Sequence, residues 1–338
     1  METIFGIDLP TWWFLVLGAV LSGYAILDGF DLGAGALHLF LKKEESRRIA
    51  LNAIGPVWDG NEVWLVIGGG VLFAGFPVVY ATIFSALYEL FMVFLVMLIF
   101  RAISIEFRSK EPMLWWRRLW DVSYCVSSIL LALSLGLVLG NVIQGLAIDQ
   151  NYAYQGTLLD LFNPYSLLIS VTALALFMMH GAIYLVMKTE NRLYAKLTIL
   201  VKNTTIFFVL MFALTSVATL LYIPHMVARY KEVPYMFAFP VLAILAVANI
   251  TRQISRRKYF FAFLSSAFVT AMLMILVAVG LYPNIILSTI DPTLHITVYN
   301  GSSTDKSLKI MLTFAAIGVP LVGIYSIPLL FSGLFEEK

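Results

Sequence analysis

Two pairs of carboxylates, each with a three-residue spacing, lie within long apolar stretches of this sequence. Asp28 and Asp31 form the first pair, and Asp59 and Glu62 form the second. Residues three apart share one face of an α-helix, so each pair presents two acids to the same neighbour. Acids are costly in an apolar environment, and a carboxylate that gains and loses a proton is what a proton path requires. These four residues are therefore candidates for proton transfer.

One arginine accompanies these acids. Arg101 lies near the end of the third apolar stretch and is followed by Glu106, and we expect these two residues to form a supporting ion pair. A single arginine cannot neutralise four acids, so the surplus must be protonated, hydrated or paired with another subunit. The alternative is that the acids only hold helices together. Glu89, expected near the middle of the third stretch, either extends a proton path or is a protonated acid bonded to a neighbouring helix.

Histidine and cysteine are too scarce for a confident metal or haem site. The single cysteine, Cys125, excludes an intrachain disulfide or a cysteine-based metal centre. Of the four histidines (His38, His180, His225 and His295), only His180 is deep in an apolar stretch. A lone histidine at such a depth could ligate haem iron, but a hydrogen-bonded core role is favoured. We therefore expect no metal or cofactor on this chain.

The elements that position the acids are predicted to be membrane-spanning helices. Hydrophobic residues make up 61% of the chain and charged residues only 12%, about half the charge of a soluble protein. The apolar runs are long and continuous, which favours helices over a transmembrane β-barrel. Nine runs are long enough to cross a bilayer, at 11–40, 55–76, 79–104, 119–146, 164–188, 197–223, 236–252, 258–282 and 307–333.

The distribution of lysine and arginine predicts the orientation of these helices. If the N-terminus is outside the cytoplasm, 18 of the 22 basic residues, Lys338 included, fall on the inner side, as the positive-inside rule requires. The predicted fold is thus an all-α polytopic membrane protein with a cytoplasmic C-terminus. We expect one membrane domain, with a four-helix bundle at about 1–146, a second at about 164–282, and a ninth helix at 307–333. The basic residues follow topology and do not indicate nucleic-acid binding.

Four segments together resemble subunit II of cytochrome bd-type quinol oxidases. They are GYAILDGFDLG at 23–33, PVWDGNEVWL at 56–65, RAISIEFRSK at 101–110 and NVIQG at 141–145. The motifs concentrate in the first 145 residues, whereas the second half matches by hydropathy and helix count.

The resemblance implies a heterodimer in the cell membrane that oxidises quinol and reduces dioxygen to water. Haem b and haem d would reside in subunit I, and this chain would be a haem-free partner that contributes a cytoplasmic proton-uptake path. The family's acids for that path fall on Asp28 and Asp59. The resemblance also allows a bound quinone and a small single-helix third subunit. It carries no role for His180 or Glu89.

Two other classes of function remain open from the residues. In a secondary transporter, the same acids would couple proton movement to a substrate, but such proteins tend to have broken helices at corresponding places in two halves. Here the acidic, glycine-rich element occurs only in the first half. In a purely structural scaffold, the acids would be assembly contacts for the haem-bearing subunit.

Overall fold

The protein is built almost entirely of helices. The computed structural model describes residues 3–189 and 191–335; Lys338, counted above for the inner side, lies outside them. The helices are α1 (Leu9–Leu37), α2 (Glu44–Ile54), α3 (Trp58–Gly75), α4 (Pro77–Ala86), α5 (Tyr88–Phe107), α6 (Leu114–Gln144), α7 (Pro164–Met187), α8 (Asn191–Tyr222), α9 (Pro224–Glu232), α10 (Ala238–Ser255), α11 (Tyr259–Leu281) and α12 (Asp305–Phe335).

Short strands and turns connect the helices at their ends. The strands β1 (Thr3–Ile4) and β2 (Ile7–Asp8) pair antiparallel before α1, and β3 (Asn284–Ile286) pairs antiparallel with β4 (Ile296–Thr297) before α12. The Asp8 side chain accepts a hydrogen bond from the Thr11 amide at 2.9 Å, which caps the first turn of α1. At the other end of the first predicted bundle, Gly145 has a φ of 98° and ends α6, a conformation that glycine adopts without strain.

Most of the long helices are suited to lipid. Within the described residues, seven helices are long and apolar enough to cross a membrane, or eight if α3 and α4 are counted as one bent span. Together with the composition, this identifies an all-helical polytopic membrane protein. The helix α12 coincides with the ninth predicted span, and α10 coincides with the short seventh one.

The third predicted span is not the continuous helix that its hydropathy indicated. The 120° bend between α3 and α4 lies at the boundary between the second and third predicted spans. The third span itself breaks at Leu87, whose φ of −110° and ψ of 26° are not helical. The α5 helix therefore begins at Tyr88. Glu89, expected near the middle of a helix, instead lies in the first turn of α5 and is exposed.

The α1 helix is the centre of the molecule. It packs against α3, α6, α7 and α11, so its inner half is enclosed on several sides. At the crossing with α7, a Cβ atom on Gly33 would collide with the Phe177 carbonyl, and a Cβ on Gly181 would collide with the Ala34 backbone. With helices packed on several sides of α1, every residue from Asp28 to Leu37 is buried.

Candidate functional site

A fully buried ion pair joins α1 to α5. The Arg101 guanidinium faces the Asp28 carboxylate with both terminal nitrogens: Nη1 donates to Oδ2 at 2.9 Å, and Nη2 donates to Oδ1. Both side chains have 0% exposure. This bidentate geometry is the strongest form of a carboxylate–guanidinium contact. The single positive charge of Arg101 is therefore committed chiefly to Asp28.

Asp31 is the surplus acid of this site. It is also fully buried, and its Oδ2 lies 3.9 Å from Arg101 Nη2. The same oxygen accepts a hydrogen bond from Asn61 Nδ2 at 2.8 Å. Its other oxygen, Oδ1, has no hydrogen-bond partner among the described residues. Two buried carboxylates thus share one guanidinium, and Asp31 is the less fully satisfied of the two.

The acids of α3 lie nearer the surface of the chain. Glu62 is half-buried and lies within electrostatic range of Arg101, Asp28 and Asp59. Asp59 is exposed in the first turn of α3. The acids of α1 and α3 therefore lie in one region, as expected. Their burial differs, however: the acids of α1 are fully buried, and those of α3 are half-buried or exposed.

Glu106 does not belong to this cluster, which corrects the expected pairing with Arg101. Glu106 is exposed, whereas Arg101 is buried against Asp28. Five residues on a helix correspond to a rotation of about 140°, so the two side chains leave α5 in different directions. Proximity in sequence suggested the pair, but the helical period excludes it.

A second charged cluster, which the sequence analysis missed, surrounds Asp121 of α6. Its carboxylate oxygens contact His38 Nε2 at 2.6 Å, Arg108 Nε at 2.5 Å and Arg47 Nη1 at 3.1 Å. Asp121 and Arg108 are each only 2% exposed. Asp121 is an acid within the fourth apolar run, and that position was the available signal. The cluster ties the end of α1 to α2, α5 and α6.

His180 is fully buried and hydrogen-bonded through both ring nitrogens. Its Nδ1 lies 2.6 Å from Ser266 Oγ, and its Nε2 lies 3.0 Å from the Ile26 carbonyl. The ring also stacks on Phe263, with centroids 4.6 Å apart. A haem ligand needs a free ring nitrogen, so this environment does not fit an axial ligand. The described residues also contain no group of three or more His, Cys, Asp or Glu side chains arranged to hold a metal ion.

Glu89 lies apart from the acid cluster. It borders an open groove of about 700 Å³ between α4 and the loop that contains Tyr152, Tyr154 and Leu158. This loop follows α6 and lies on the predicted outer side. An extension of the acid cluster through Glu89 therefore has no support from its position.

Fold and site together define a polytopic helical membrane protein with a buried carboxylate–arginine cluster. Residues 9–331 match the family model of cytochrome bd terminal oxidase subunit II, and the chain belongs to that family. It is accordingly a multi-pass membrane subunit of a respiratory terminal oxidase, which implies a subunit I as its partner. The family resemblance seen in the sequence is confirmed.

Curated relatives match along most of their length. The chain is 29% identical to the cytochrome bd-I ubiquinol oxidase subunit 2 of Escherichia coli K12, over 93% of this chain and 91% of the relative. It is 32% identical to a probable cytochrome oxidase subunit 2 of Haemophilus influenzae, over 94% and 91% of the two chains. It is 31% identical to the cytochrome bd ubiquinol oxidase subunit 2 of Bacillus subtilis, over 92% and 91%.

A solved structure has the same fold. A chain of the bd oxidase from Geobacillus thermodenitrificans superposes with a TM-score of 0.79, covering 98% of this chain and 99% of that one at 20% identity.

Proposed function

We propose that this chain works with a haem-bearing subunit I to couple quinol oxidation to the reduction of dioxygen to water. Its own contribution is a proton-uptake path from the cytoplasm, carried by Asp59, Glu62, Asp31 and Asp28, with Arg101 as the positioning cation. Two of the relatives described above are named as ubiquinol oxidase subunits, which supports a quinol as the electron donor. Haem in the partner would supply the oxygen chemistry.

The observation that supports this proposal most directly is that the two buried acids differ in their counter-charge and in their number of hydrogen-bond partners. Asp28 has a full counter-charge in Arg101, whereas Asp31 is 3.9 Å from the same guanidinium and leaves one oxygen unpartnered among the described residues. An unpaired buried carboxylate is expensive in its charged form. Asp31 is therefore the acid whose protonation can change without breaking the ion pair that holds α1 to α5.

The burial of the acids increases from Asp59 to Asp28, and this order suggests the direction in which a proton would move. Asp59 is exposed, Glu62 is half-buried, and Asp31 and Asp28 are fully buried. Glu62 interacts electrostatically with both Asp59 and Asp28, which makes it an intermediate group. A proton taken up at Asp59 would reach the buried pair by way of Glu62.

Several features predicted from the sequence belong to the same proposal. They are nine spans with an outside N-terminus and a cytoplasmic C-terminus, and a division into bundles at about 1–146 and 164–282 with a ninth helix at 307–333. A quinone on this chain and a small single-helix third subunit are further components. The haem-free role is supported by the full engagement of both His180 nitrogens.

The decisive experiment is Asp31→Asn in the purified two-subunit complex. Asn keeps the size and hydrogen-bonding capacity of Asp31 but does not titrate. We expect quinol-driven oxygen consumption to fall at least about a hundredfold, the lower end of the range for loss of a proton-transferring group, with haem absorption and haem reduction by quinol retained. The matched control is Glu106→Gln, which neutralises an exposed acid of α5 and should leave turnover unchanged.

Three outcomes would overturn this proposal. Wild-type oxygen consumption in Asp31→Asn and Asp59→Asn would assign the acids to helix packing. Loss of haem from the complex in both variants would make the acids assembly contacts and favour the scaffold function. A purified wild-type complex without haem absorption would indicate a transporter instead.

A further inference from the structure

A polar stripe runs along α1 from the acid cluster to the Asp121 cluster. Asp28, Asp31, Gly35 and His38 are separated by three, four and three residues and so lie on one face of the helix. Asp31 and His38 are seven residues apart, or about 10 Å along the helix axis. The proposed function does not use this stretch, which leads toward the predicted cytoplasmic end of α1.

Tyr124 of α6 faces the stripe between its two titratable ends. Its ring meets the His38 ring edge-on, with centroids 5.1 Å apart. A Cβ atom on Gly35 would lie 3.1 Å from Tyr124 Cζ, the atom that bears the hydroxyl, and would collide with Ser128 Oγ. The absence of a side chain at Gly35 thus leaves room for the hydroxyl end of Tyr124 beside α1. Gly35 is one helical turn from Asp31 and less than one turn from His38.

Three buried polar atoms along this stripe lack a partner. Tyr124 Oη, His38 Nδ1 and Asp31 Oδ1 have no hydrogen-bond partner among the described residues, and their side chains are 2%, 1% and 0% exposed. Buried polar atoms are nearly always satisfied by protein or by ordered water. Three such atoms in succession on one interface indicate bound water.

The Asp121 cluster determines which ring nitrogen of neutral His38 carries the proton. Asp121 is held by Arg108 and Arg47 and therefore acts as a hydrogen-bond acceptor toward His38 Nε2. Neutral His38 then carries its proton on Nε2 and presents a lone pair at Nδ1. When Nδ1 gains a proton, Asp121 stabilises the resulting positive charge, which the nearby arginines partly oppose.

We propose that bound water links His38 Nδ1, Tyr124 Oη and Asp31 Oδ1 into a second proton-uptake branch. His38 Nδ1 accepts a proton from cytoplasmic water that reaches it through the bound water. Water and the Tyr124 hydroxyl then relay a proton from Nδ1 to the Asp31 carboxylate, and His38 returns to its neutral form. No bond other than O–H and N–H bonds forms or breaks. This branch rests on the proposed role of Asp31, and it reaches that acid without Asp59 or Glu62.

The test is Tyr124→Phe in the purified complex, which removes one hydroxyl and keeps the ring against His38. We expect oxygen consumption to fall about fivefold, as for loss of one buried hydrogen bond from a transition state, and its ratio in H₂O to D₂O to rise. Haem content and haem reduction by quinol should be unchanged. Tyr165→Phe is the matched control, because it removes a partly buried tyrosine hydroxyl, which is hydrogen-bonded to Thr219 at 2.9 Å, away from the stripe.

A structure of the complex at a resolution that shows water provides an independent test. Water density between Tyr124 Oη and Asp31 Oδ1 is expected, and a dry interface would overturn the proposal. Wild-type turnover in Tyr124→Phe, combined with slow turnover in Asp31→Asn, would reject this branch and leave the proposed function standing. Wild-type turnover in both variants would reject both.

Discussion

At the scale of single residues, the contact between Arg101 and Asp28 determines which of the buried acids has a counter-charge. Both side chains are fully buried, so neither charge can be compensated by water if its partner is lost. Removal of one member of a buried ion pair typically costs about 3–5 kcal/mol. We therefore expect the pair to be required for assembly of the complex, and the proposed proton transfer to depend on Asp31 beside it.

Arg101→Ala should lower the yield of the assembled complex, because it leaves Asp28 buried without a counter-charge. The double variant Arg101→Ala with Asp28→Asn should recover part of the yield, since it removes the unpaired charge. Haem per membrane protein measures the outcome. The control is Arg117→Ala, which removes a half-exposed partner of Glu44 at 3.1 Å, a surface pair that contributes at most about 1 kcal/mol. No recovery in the double variant would show that Arg101 acts through another group.

The types of residue in the site could be predicted from the sequence, but their pairing could not. Acids in apolar runs are rare enough to identify Asp28 and Asp31 directly. The partner of Arg101 depends on how α5 is rotated about its axis relative to α1, and a single sequence contains no measure of that angle. The Asp121 cluster was missed for a related reason, because its cations come from segments that the hydropathy pattern assigned to loops.

At the scale of helices, the crossing of α1 and α7 is a tight contact of the helix that carries Asp28 and Asp31. Gly29 and Gly33 are four residues apart and lie on one face of α1, and α7 packs on that face. A Cβ on Gly29 would lie 2.8 Å from Phe177 Cδ1, and at Gly33 the obstacle is the Phe177 carbonyl itself. A side chain can move aside, whereas a helix backbone moves only if the crossing opens.

Gly33→Ala should therefore destabilise the complex by about 1–3 kcal/mol, the usual range for overpacking a tight interior. A lower midpoint of thermal unfolding in detergent, followed by tryptophan fluorescence, is the measurement. Gly69→Ala in α3 adds the same methyl group where no atom lies within 4 Å, and it should leave the midpoint unchanged. Equal midpoints for the two variants would show that α1 and α7 separate without cost.

The break in the third predicted span shows the limit of hydropathy at this scale. Residues 77–107 are apolar almost throughout, so the pattern predicts one helix. The start of a helix at Pro77 agrees with the preference of proline for the first turn. The interruption at Leu87 has no comparable signal, because leucine is a strong helix former.

At the scale of the whole molecule, the fold class follows from composition, and the orientation follows from the placement of basic residues. Among the described residues, seven helices are long and apolar enough to cross a membrane, or eight with α3 and α4 as one bent span, so the number of nine spans stays a prediction. Orientation is set by the interaction of charged loops with the two sides of the membrane. The charge distribution therefore remains the basis for placing the acids on the cytoplasmic side.

Reporter fusions after Lys43, Asn151, Lys196 and Lys338 should report inside, outside, inside and inside. The reason is that each inner position adjoins lysines or arginines that are retained on the cytoplasmic side. Activity of a periplasmic reporter paired with a cytoplasmic one at each site gives the measurement. A cytoplasmic result at Asn151 would change the number of helices before it and move the acids to the other side.

The distance along the chain between Asp28 and Arg101 has a consequence for biosynthesis. The two residues are separated by 73 positions, so α1 reaches the membrane before its counter-charge has been synthesised. At ordinary rates of translation of about 5–20 residues per second, the delay lasts several seconds. During that time α1 carries two acids with no arginine to pair with, at a cost of about 2.5–3.5 kcal/mol for each charged group at the centre of a span. Insertion of α1 is therefore less stable before α5 has been synthesised, and the ion pair with Arg101 stabilises the inserted helix afterwards.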